Sequence, residues 1–191
     1  MKRDEALRRL ELRARRCKRC GLHSGRNNVV FGSGPANAKV MLVGEAPGRS
    51  EDRLGLPFVG SAGKRLNELL KIASLKRENV YVTNVVLCRP PENRRPAPEE
   101  INACRGFLEE RMAIIRPQLI VALGKTSAEA LLDKKVNMTE DHGKLIPARR
   151  GNVFITYHPA AALYRGTVLE AMKRDFKRLG LVLREILGKV A

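Results

Sequence analysis

Four short apolar segments rich in β-branched residues recur along the chain, and each is followed or preceded by a stretch with helical spacing of its apolar positions. The segments are KVMLVG at 39–44, VYVTNVV at 80–86, QLIVALG at 118–124 and VFITYH at 153–158. Continuous apolar runs of this length are typical of strands that are buried on both faces of a sheet. Strands that alternate with helices pair in parallel. The pattern therefore predicts a layered α/β structure with a parallel sheet.

The remaining segments have the amphipathic periodicity of helices. Helices are predicted at about 3–15, 61–75, 98–115, after Thr126, and at about 168–187. The one that begins at Pro98 has a strong start signal, because proline fits the first helical turn and the acids Glu99 and Glu100 complement the helix dipole. At 191 residues, the chain is expected to form a single domain spanning 1–191.

The charge balance points to a polyanionic partner. The chain has 37 Lys and Arg against 20 Asp and Glu, a formal net charge of +17. A solvated basic face or the charge-rich surface of a thermophile is the alternative, but an excess of this size favours nucleic acid. Aromatic residues make up 4% of the chain and tryptophan is absent, which excludes an extended base-stacking platform.

The sequence also predicts where the protein works. No apolar stretch approaches the roughly 20 residues of a membrane span, and the charged N-terminal segment lacks the apolar core of a secretory signal. We therefore expect a cytoplasmic protein without membrane contact. No interface signal stands out, so a monomer is expected.

Polar residues stand at the carboxyl ends of the predicted strands, where parallel sheets bind their ligands. GEAPG follows the first strand, Asn84 ends the second, Gly124 ends the third and His158 ends the fourth. The loop after the first strand lacks both phosphate-binding glycine motifs, and its acids would repel a phosphate. A neutral, hydrogen-bonding ligand is therefore predicted, such as a nucleobase drawn out of a duplex.

Four cysteines, Cys17, Cys20, Cys88 and Cys104, form one C-x2-C pair and two more distant positions. Four thiols with none left over favour a closed metal site, and the spacing leaves iron and zinc open. Zinc held by the C-x2-C pair with His23, a core role for Cys104, and disulfides as found in hyperthermophiles are the alternatives.

Longer segments of the chain resemble a known family. GEAPGRSEDRLGLPFVGSAGKRL, VYVTNVVLCRPPENRRPAPEEINAC, IRPQLIVALG and TYHPAAALYR together resemble the family 4 uracil-DNA glycosylases, the iron–sulfur branch, from Cys17 to about Lys177. The resemblance implies a three-layer α/β/α domain with a central four-stranded parallel sheet. It also implies a [4Fe–4S] cluster on Cys17, Cys20, Cys88 and Cys104. The implied activity is a DNA-repair hydrolysis that flips uracil out of DNA, cleaves its N-glycosidic bond and leaves an abasic site.

Three residues are implied to bind the base. The amide of Asn84 can donate to uracil O4 and accept from N3–H, whereas cytosine presents the reverse pattern and would leave buried polar groups unpaired. Phe58 is implied to stack on the flipped base, and His158 to donate to uracil O2 as negative charge builds on the leaving base. Residue type alone leaves a turn asparagine, a core phenylalanine and a satisfied loop histidine open.

The acidic loop after the first strand has implied roles in the same site. Glu45 is implied to hold or polarise the attacking water and to stabilise an oxocarbenium-like sugar. Glu51 is implied to fill the space beside C5 of the base and so to exclude the methyl group of thymine, an exposed loop acid being the alternative. Gly44 and Ala46 complete the implied uracil-binding set.

The DNA backbone and the displaced helix need residues of their own. The implied phosphate contacts are Ser61, Arg89, Arg94, Arg95 and Arg165. Leu163 is the implied wedge that fills the gap left by the flipped nucleotide, a task that Tyr164 or Arg165 can share. The second-strand loop lacks the histidine of a branch that traps uracil-DNA covalently, so turnover is expected, with downstream repair proteins as further partners. A base-sensing module without catalysis and an iron–sulfur oxidoreductase are the rival classes.

Overall fold

A five-stranded sheet runs through the part of the chain that the structure, a computed structural model, describes, residues 2–149 and 151–188. The strands are β1 Val40–Gly44, β2 Val80–Asn84, β3 Leu119–Leu123, β4 Leu145–Ala148 and β5 Gly151–Thr156. Their order across the sheet is β2-β1-β3-β5-β4. β2, β1, β3 and β5 pair in parallel, whereas β4 pairs antiparallel to β5.

The predicted four-stranded parallel sheet is confirmed as the centre, but the strand count is wrong by one. The extra strand, β4, has the sequence LIPA and lies at the sheet edge, half-buried to exposed. Proline is tolerated at an edge because no ladder partner needs its missing N–H. A four-residue segment with a proline lacks the continuous apolar pattern by which the central strands were found.

Helices cover the sheet on both faces. They are α1 Arg3–Arg15, α2 Leu22–Gly25, α3 Arg49–Leu54, α4 Ser61–Ile72, α5 Pro98–Ile115, α6 Lys125–Leu132, α7 Met138–Asp141 and α8 Gly166–Leu187. Short 3-10 turns occur at Arg77–Asn79, Pro91–Asn93 and Pro159–Leu163. Both ends of α1 and α5 lie where the sequence predicts them. Within the described residues, no helix combines the length and the apolar character that a membrane crossing requires.

Alternate residues of β1 point into two separate apolar cores. Met41 and Val43 belong to the core that includes side chains of α1 and α5. Val40 and Leu42 belong to the core that includes side chains of α4 and α8. Each face of the sheet is thus covered by helices, which confirms the three-layer α/β/α arrangement.

The open edge of β2 is covered by the segment 29–33. Ser33 and Val82 exchange two backbone hydrogen bonds of 2.8 and 2.9 Å in an antiparallel bridge. The N–H of Val30 donates to the carbonyl of Leu87 at 2.8 Å. This segment follows the C-x2-C pair along the chain, so it connects the cysteine region to the strand that ends in Asn84.

Candidate active site

A cavity of about 400 Å³ opens at the carboxyl edge of the sheet. Six of the seven residues that the family resemblance implies for uracil binding line it. They are Glu45, Ala46, Glu51, Phe58, Asn84 and His158. The seventh, Gly44, is the last residue of β1 and lies against two of them. Residues that are far apart in the sequence thus meet in one pocket at the carboxyl ends of the parallel strands, as expected.

Asn84 ends β2 directly opposite Gly44 in the register of the sheet. Its side chain is 1% exposed, and its amide oxygen Oδ1 has no hydrogen-bond partner among the described residues. A methyl group on Gly44 would clash with Oδ1 of Asn84 and would lie 2.7 Å from Cζ of Phe58. The close packing of the amide against the aromatic ring therefore requires glycine at position 44.

Phe58 lies in the loop that joins α3 to α4 and has an unusual backbone. Its φ is +54°, a left-handed conformation that is strained for a bulky residue. The ring is 8% exposed, and its centroid lies 5.7 Å from that of His158 with 31° between the ring planes. The two rings therefore lie side by side in the cavity lining.

Glu51 supports this loop directly. One carboxylate oxygen, Oε1, accepts hydrogen bonds from the N–H groups of Val59 at 2.9 Å and Gly60 at 2.8 Å. Both amides follow Phe58, so the carboxylate holds the segment that positions the ring. Sequence reasoning missed this contact, because a pair of backbone amides eight and nine residues away leaves no mark on the sequence.

Asp52, the next acid of the same loop, has a purely internal role. It is 1% exposed, and its Oδ1 accepts from the N–H groups of Asn27 at 2.9 Å and Asn28 at 3.2 Å. It thus joins α3 to the segment after the C-x2-C pair. The two acids that would repel a phosphate are held by backbone and amide donors in the fold.

His158 follows β5 and presents one particular ring nitrogen to the cavity. Its Nδ1 accepts from the N–H of Ala160 at 3.2 Å, which assigns the proton of the neutral ring to Nε2. Burial lowers the pKa of His158 to about 4, against a smaller opposing effect of the Glu51 carboxylate. At neutral pH the ring is therefore an uncharged hydrogen-bond donor.

The cavity lining also includes residues that the sequence analysis did not name as site residues, among them Asn93, Lys125 and Pro90. Lys125 is the first residue of α6 and follows Gly124, whose φ of +95° makes the sharp turn from strand to helix. Lys125 could have been predicted from the sequence, because it directly follows Gly124, which ends the third predicted strand. The lysine adds a positive charge to the cavity lining, and its Nζ lies 3.9 Å from Oε1 of Glu129.

Three of the predicted phosphate contacts are arginines that already have partners. Arg94 lines the cavity and forms a two-pronged pair with Glu100, with distances of 2.7 and 2.9 Å. The Arg95 guanidinium lies 2.8 Å from Glu129, and Nε of Arg89 donates to Oδ1 of Asn93 at 2.7 Å. The three side chains are therefore oriented by neighbours before DNA binds.

The other predicted DNA contacts are exposed residues at or next to the ends of helical elements. Ser61 is the exposed first residue of α4, and Arg165 is the exposed residue before α8. Leu163 ends the 3-10 turn after His158 and is 36% exposed, while its neighbour Tyr164 is 88% exposed. An apolar tip thus projects from the loop that carries His158.

The four cysteines are free thiols that share one core. Cys88 and Cys104 are buried, and burial raises the pKa of Cys88 and that of Cys104, the latter to about 11. The thiols of Cys17 and Cys20 also raise the pKa of Cys88, because they lie near it. Nη1 of Arg26 donates to Sγ of Cys88 at 3.4 Å and to the carbonyl of Cys17 at 2.8 Å.

Two observations bear on metal binding, both by the four cysteines and by the alternative with His23. The Nδ1 atom of His23 lies 2.8 Å from the carbonyl oxygen of Cys20, so the ring is hydrogen-bonded within its own turn. Among the described residues, no group of three or more His, Cys, Asp or Glu side chains has the arrangement of a metal-ion site.

Comparison with known proteins gives a consistent family. Residues 31–179 match the family model of the Uracil DNA glycosylase superfamily. A type-4 uracil-DNA glycosylase of Archaeoglobus fulgidus is 42% identical over 181 residues, which cover 91% of this chain and 89% of that protein. One of Thermotoga maritima is 45% identical over 163 residues, which cover 84% of this chain and 85% of that protein. The match spans the cavity and its supporting strands, and the chain therefore belongs to the uracil-DNA glycosylase superfamily, within its type-4 family.

Proposed function

We propose that the cavity at the sheet edge binds a uracil base flipped out of DNA and that its side chains promote hydrolysis of the N-glycosidic bond. The products are free uracil and an abasic site in the DNA. Family membership supports the activity, that of a DNA-repair glycosylase and hydrolase of N-glycosyl bonds. One observation carries the assignment to this cavity: Asn84 and the neutral His158 line the same space, and the buried Oδ1 of Asn84 has no hydrogen-bond partner in the described structure.

Asn84 selects the base. Its unpartnered Oδ1 accepts the N3–H of uracil, and its Nδ2 donates to O4. Cytosine has no proton on N3 and a donor in place of O4, so it would leave two polar pairs unsatisfied in a buried site. Phe58 provides the apolar surface on which the flipped base stacks.

His158 stabilises the leaving group. As the glycosidic bond stretches, negative charge accumulates on uracil, and the Nε2–H of His158 donates to O2. A neutral ring suits this task, since its proton stays in place while the hydrogen bond strengthens. The bond from Ala160 to Nδ1 orients the ring before the substrate arrives.

Glu45 acts on the sugar. It is half-buried in the cavity lining, directly after β1. Its carboxylate holds the water that attacks the anomeric carbon, and its negative charge stabilises the oxocarbenium-like centre. Glu51 excludes the thymine methyl by occupying the space beside C5 while its Oε1 holds the loop after Phe58.

The DNA backbone is held around the rim of the cavity. Its phosphate contacts are Ser61, Arg89, Arg94, Arg95 and Arg165, and Lys125 joins them because it lies in the cavity wall. Leu163 enters the duplex and fills the gap left by the flipped nucleotide. The protein acts as a cytoplasmic monomer that passes the abasic site to downstream repair proteins.

The four cysteines fit a [4Fe–4S] cluster by the chemistry of their donors. All four are thiols, two are buried in the core, and the electrostatic effect of Cys17 and Cys20 on Cys88, and of Cys88 and Cys20 on Cys104, supports a common site. When bound, such a cluster supplies a thiolate-linked anchor between the N-terminal segment and α5. Arg26 supports that anchor by donating to Cys88 and Cys17. We expect Cys104→Ala to lower the iron content and the visible absorbance of the purified protein, and unchanged iron would contradict this ligand set.

The activity is tested with duplex DNA carrying one deoxyuridine opposite guanine. After incubation with catalytic amounts of protein, alkali should cleave the strand at that position, and duplexes with thymine or cytosine there should stay intact. Asn84→Ala and His158→Ala should each lower the rate at least about 100-fold, as loss of transition-state hydrogen bonds does elsewhere. Wild-type rates in both variants would show that the chemistry takes place without these residues.

A further inference from the structure

Arg111 is a fully buried arginine that the mechanism above does not use. It lies on α5, on the same face as Cys104, and is 0% exposed. Its electrostatic neighbours are the Tyr81 phenol and the Cys104 thiol, and its Nε has no hydrogen-bond partner in the described structure. Burying a guanidinium away from carboxylates is costly, so the position calls for a reason beyond packing.

The guanidinium occupies a gap in the pairing between segment 29–33 and β2. If the antiparallel ladder continued regularly from Ser33 and Val82, Phe31 would pair with Asn84 through two backbone hydrogen bonds. The described residues lack that pair, and the next backbone bond, from Val30 to Leu87, is out of register by two residues. Two carbonyl groups are thereby left facing the gap.

Arg111 satisfies both of these carbonyl groups. Nη1 donates to the carbonyl of Phe31 in a very short contact, and Nη2 donates to that of Asn84 at 3.4 Å. The guanidinium carbon also lies 4.9 Å from the centroid of the Phe31 ring. Thr83 adds a second donor to the Phe31 carbonyl at 2.9 Å. The planar fork of arginine suits two acceptors at once, which an ammonium group does not.

We propose that Arg111 is the positioning residue for Asn84: by holding the backbone carbonyl of Asn84 from behind, it fixes the direction in which the base-reading amide points. The inference rests on the proposed function of Asn84. Asn84 keeps its register with Gly44 of β1 but does not pair with Phe31, and Arg111 donates to the two carbonyl groups that this pair would have used. The same side chain links the helix of Cys104 to the floor of the uracil site.

The experiment measures the affinity of free uracil by calorimetry, together with kcat on uracil-containing duplex and the thermal unfolding midpoint. The variants are Arg111→Met, Arg111→Lys and Asn84→Ala, with Arg105→Met as the control. Arg105 lies on the same helix, and its exposed pair with Asp133 is remote from the cavity lining. Both Arg111 variants are expected to bind uracil at least about tenfold more weakly, with a similar loss in kcat, while the control stays at the wild-type level.

The readouts separate positioning from packing. A packing role alone would lower the unfolding midpoint and leave the uracil affinity of the folded protein within about twofold of wild type, which would overturn the inference. If Arg111→Met does not fold, the same criterion is applied to Arg111→Lys. This variant keeps the positive charge and the alkyl chain. If Asn84→Ala itself retains uracil affinity, the proposed role of Asn84 fails; if it loses affinity and the Arg111 variants do not, only the role of Arg111 fails.

Discussion

Gly44 is the residue on which the close approach of Asn84 and Phe58 depends. In Gly44→Ala, the added methyl group would lie 2.7 Å from Cζ of Phe58 and would clash with Oδ1 of Asn84. Both side chains, which we propose to bind uracil, must then move, and misplacement by about 1 Å can reduce rates roughly 100-fold. We expect kcat on uracil-containing duplex to fall by about that factor while the protein still folds.

A matched glycine provides the control for this substitution. Gly106 lies on α5, where an added methyl group would meet its nearest atom, on Arg19, at 3.9 Å. Gly106→Ala should keep full activity and stabilise the helix by up to about 1 kcal/mol. Full activity in Gly44→Ala would show that Asn84 and Phe58 need not lie where they do.

The ionisation of His158 gives a prediction for pH dependence. Its pKa is lowered by burial from 6.5 to about 4, so the folded protein keeps the ring neutral where the unfolded chain protonates it. The unfolded state binds more protons in this window, and stability therefore rises with pH between about 4 and about 6.5 and is lost as pH falls through it. In His158→Gln, the loss of unfolding free energy between about pH 7 and about pH 4.5 should be smaller than in wild type.

Urea unfolding at several pH values measures this difference. The pH dependence of kcat should agree with the unfolding data, because the titration of His158 should not appear near its ordinary pKa. A step near 6.5 that disappears in His158→Gln would mean that the ring is exposed to water and titrates normally.

For individual residues, the sequence predicts which side chains line the cavity more successfully than it predicts their hydrogen-bond and ion-pair partners. Asn84 and His158 were found because they stand at strand ends, whose relative positions follow from parallel pairing. The bonds of Glu51 to Val59 and Gly60 and the pair of Arg95 with Glu129 join residues through loop paths that leave no periodic signal.

Among the elements, the loop between α3 and α4 connects two functions of the site. It carries Phe58 and leads to Ser61, and Glu51 holds its last two residues, Val59 and Gly60. Removing the carboxylate in Glu51→Ala frees two backbone amides and should allow Phe58 to leave its strained backbone conformation. We expect uracil excision to fall at least about tenfold, because hydrogen bonds to charged groups contribute about 1.5–3 kcal/mol each.

Glu51→Gln is the informative partner of that variant, since its amide oxygen can still accept both bonds. It should recover most of the activity lost in Glu51→Ala. Activity on thymine-containing duplex tests whether Glu51 excludes the methyl group of thymine. Excision of thymine by Glu51→Ala would support this role. If both variants behave like wild type on uracil and thymine, Glu51 has neither role.

The elements themselves were largely predictable. The central strands are continuously apolar and the helices α4 and α8 are strongly amphipathic, and both patterns result from burial that the sequence records directly. β4 was missed because an edge strand of four residues gains its place from pairing with β5 and not from its own composition.

For the whole molecule, the charge of +17 determines how DNA binding responds to salt. Each phosphate neutralised by a lysine or arginine releases counterions, so affinity falls steeply with salt. With several contacts around the cavity, we expect affinity for uracil-containing duplex to drop at least about tenfold between about 50 and about 200 mM salt. Fluorescence anisotropy with an inactive His158→Ala variant measures it, and a nearly flat response would contradict the phosphate contacts.

The links between segment 29–33, β2 and α5 also have a consequence for synthesis, because the chain emerges from the ribosome with its N-terminus first. Cys17 and Cys20 emerge long before Cys104 and Arg111. At about 5–20 residues per second, the interval between Cys20 and Cys104 is roughly 4 to 17 seconds. Until Cys104 emerges the set of four thiols is incomplete, although Cys88 emerges before it, and the edge of β2 has no guanidinium beside it.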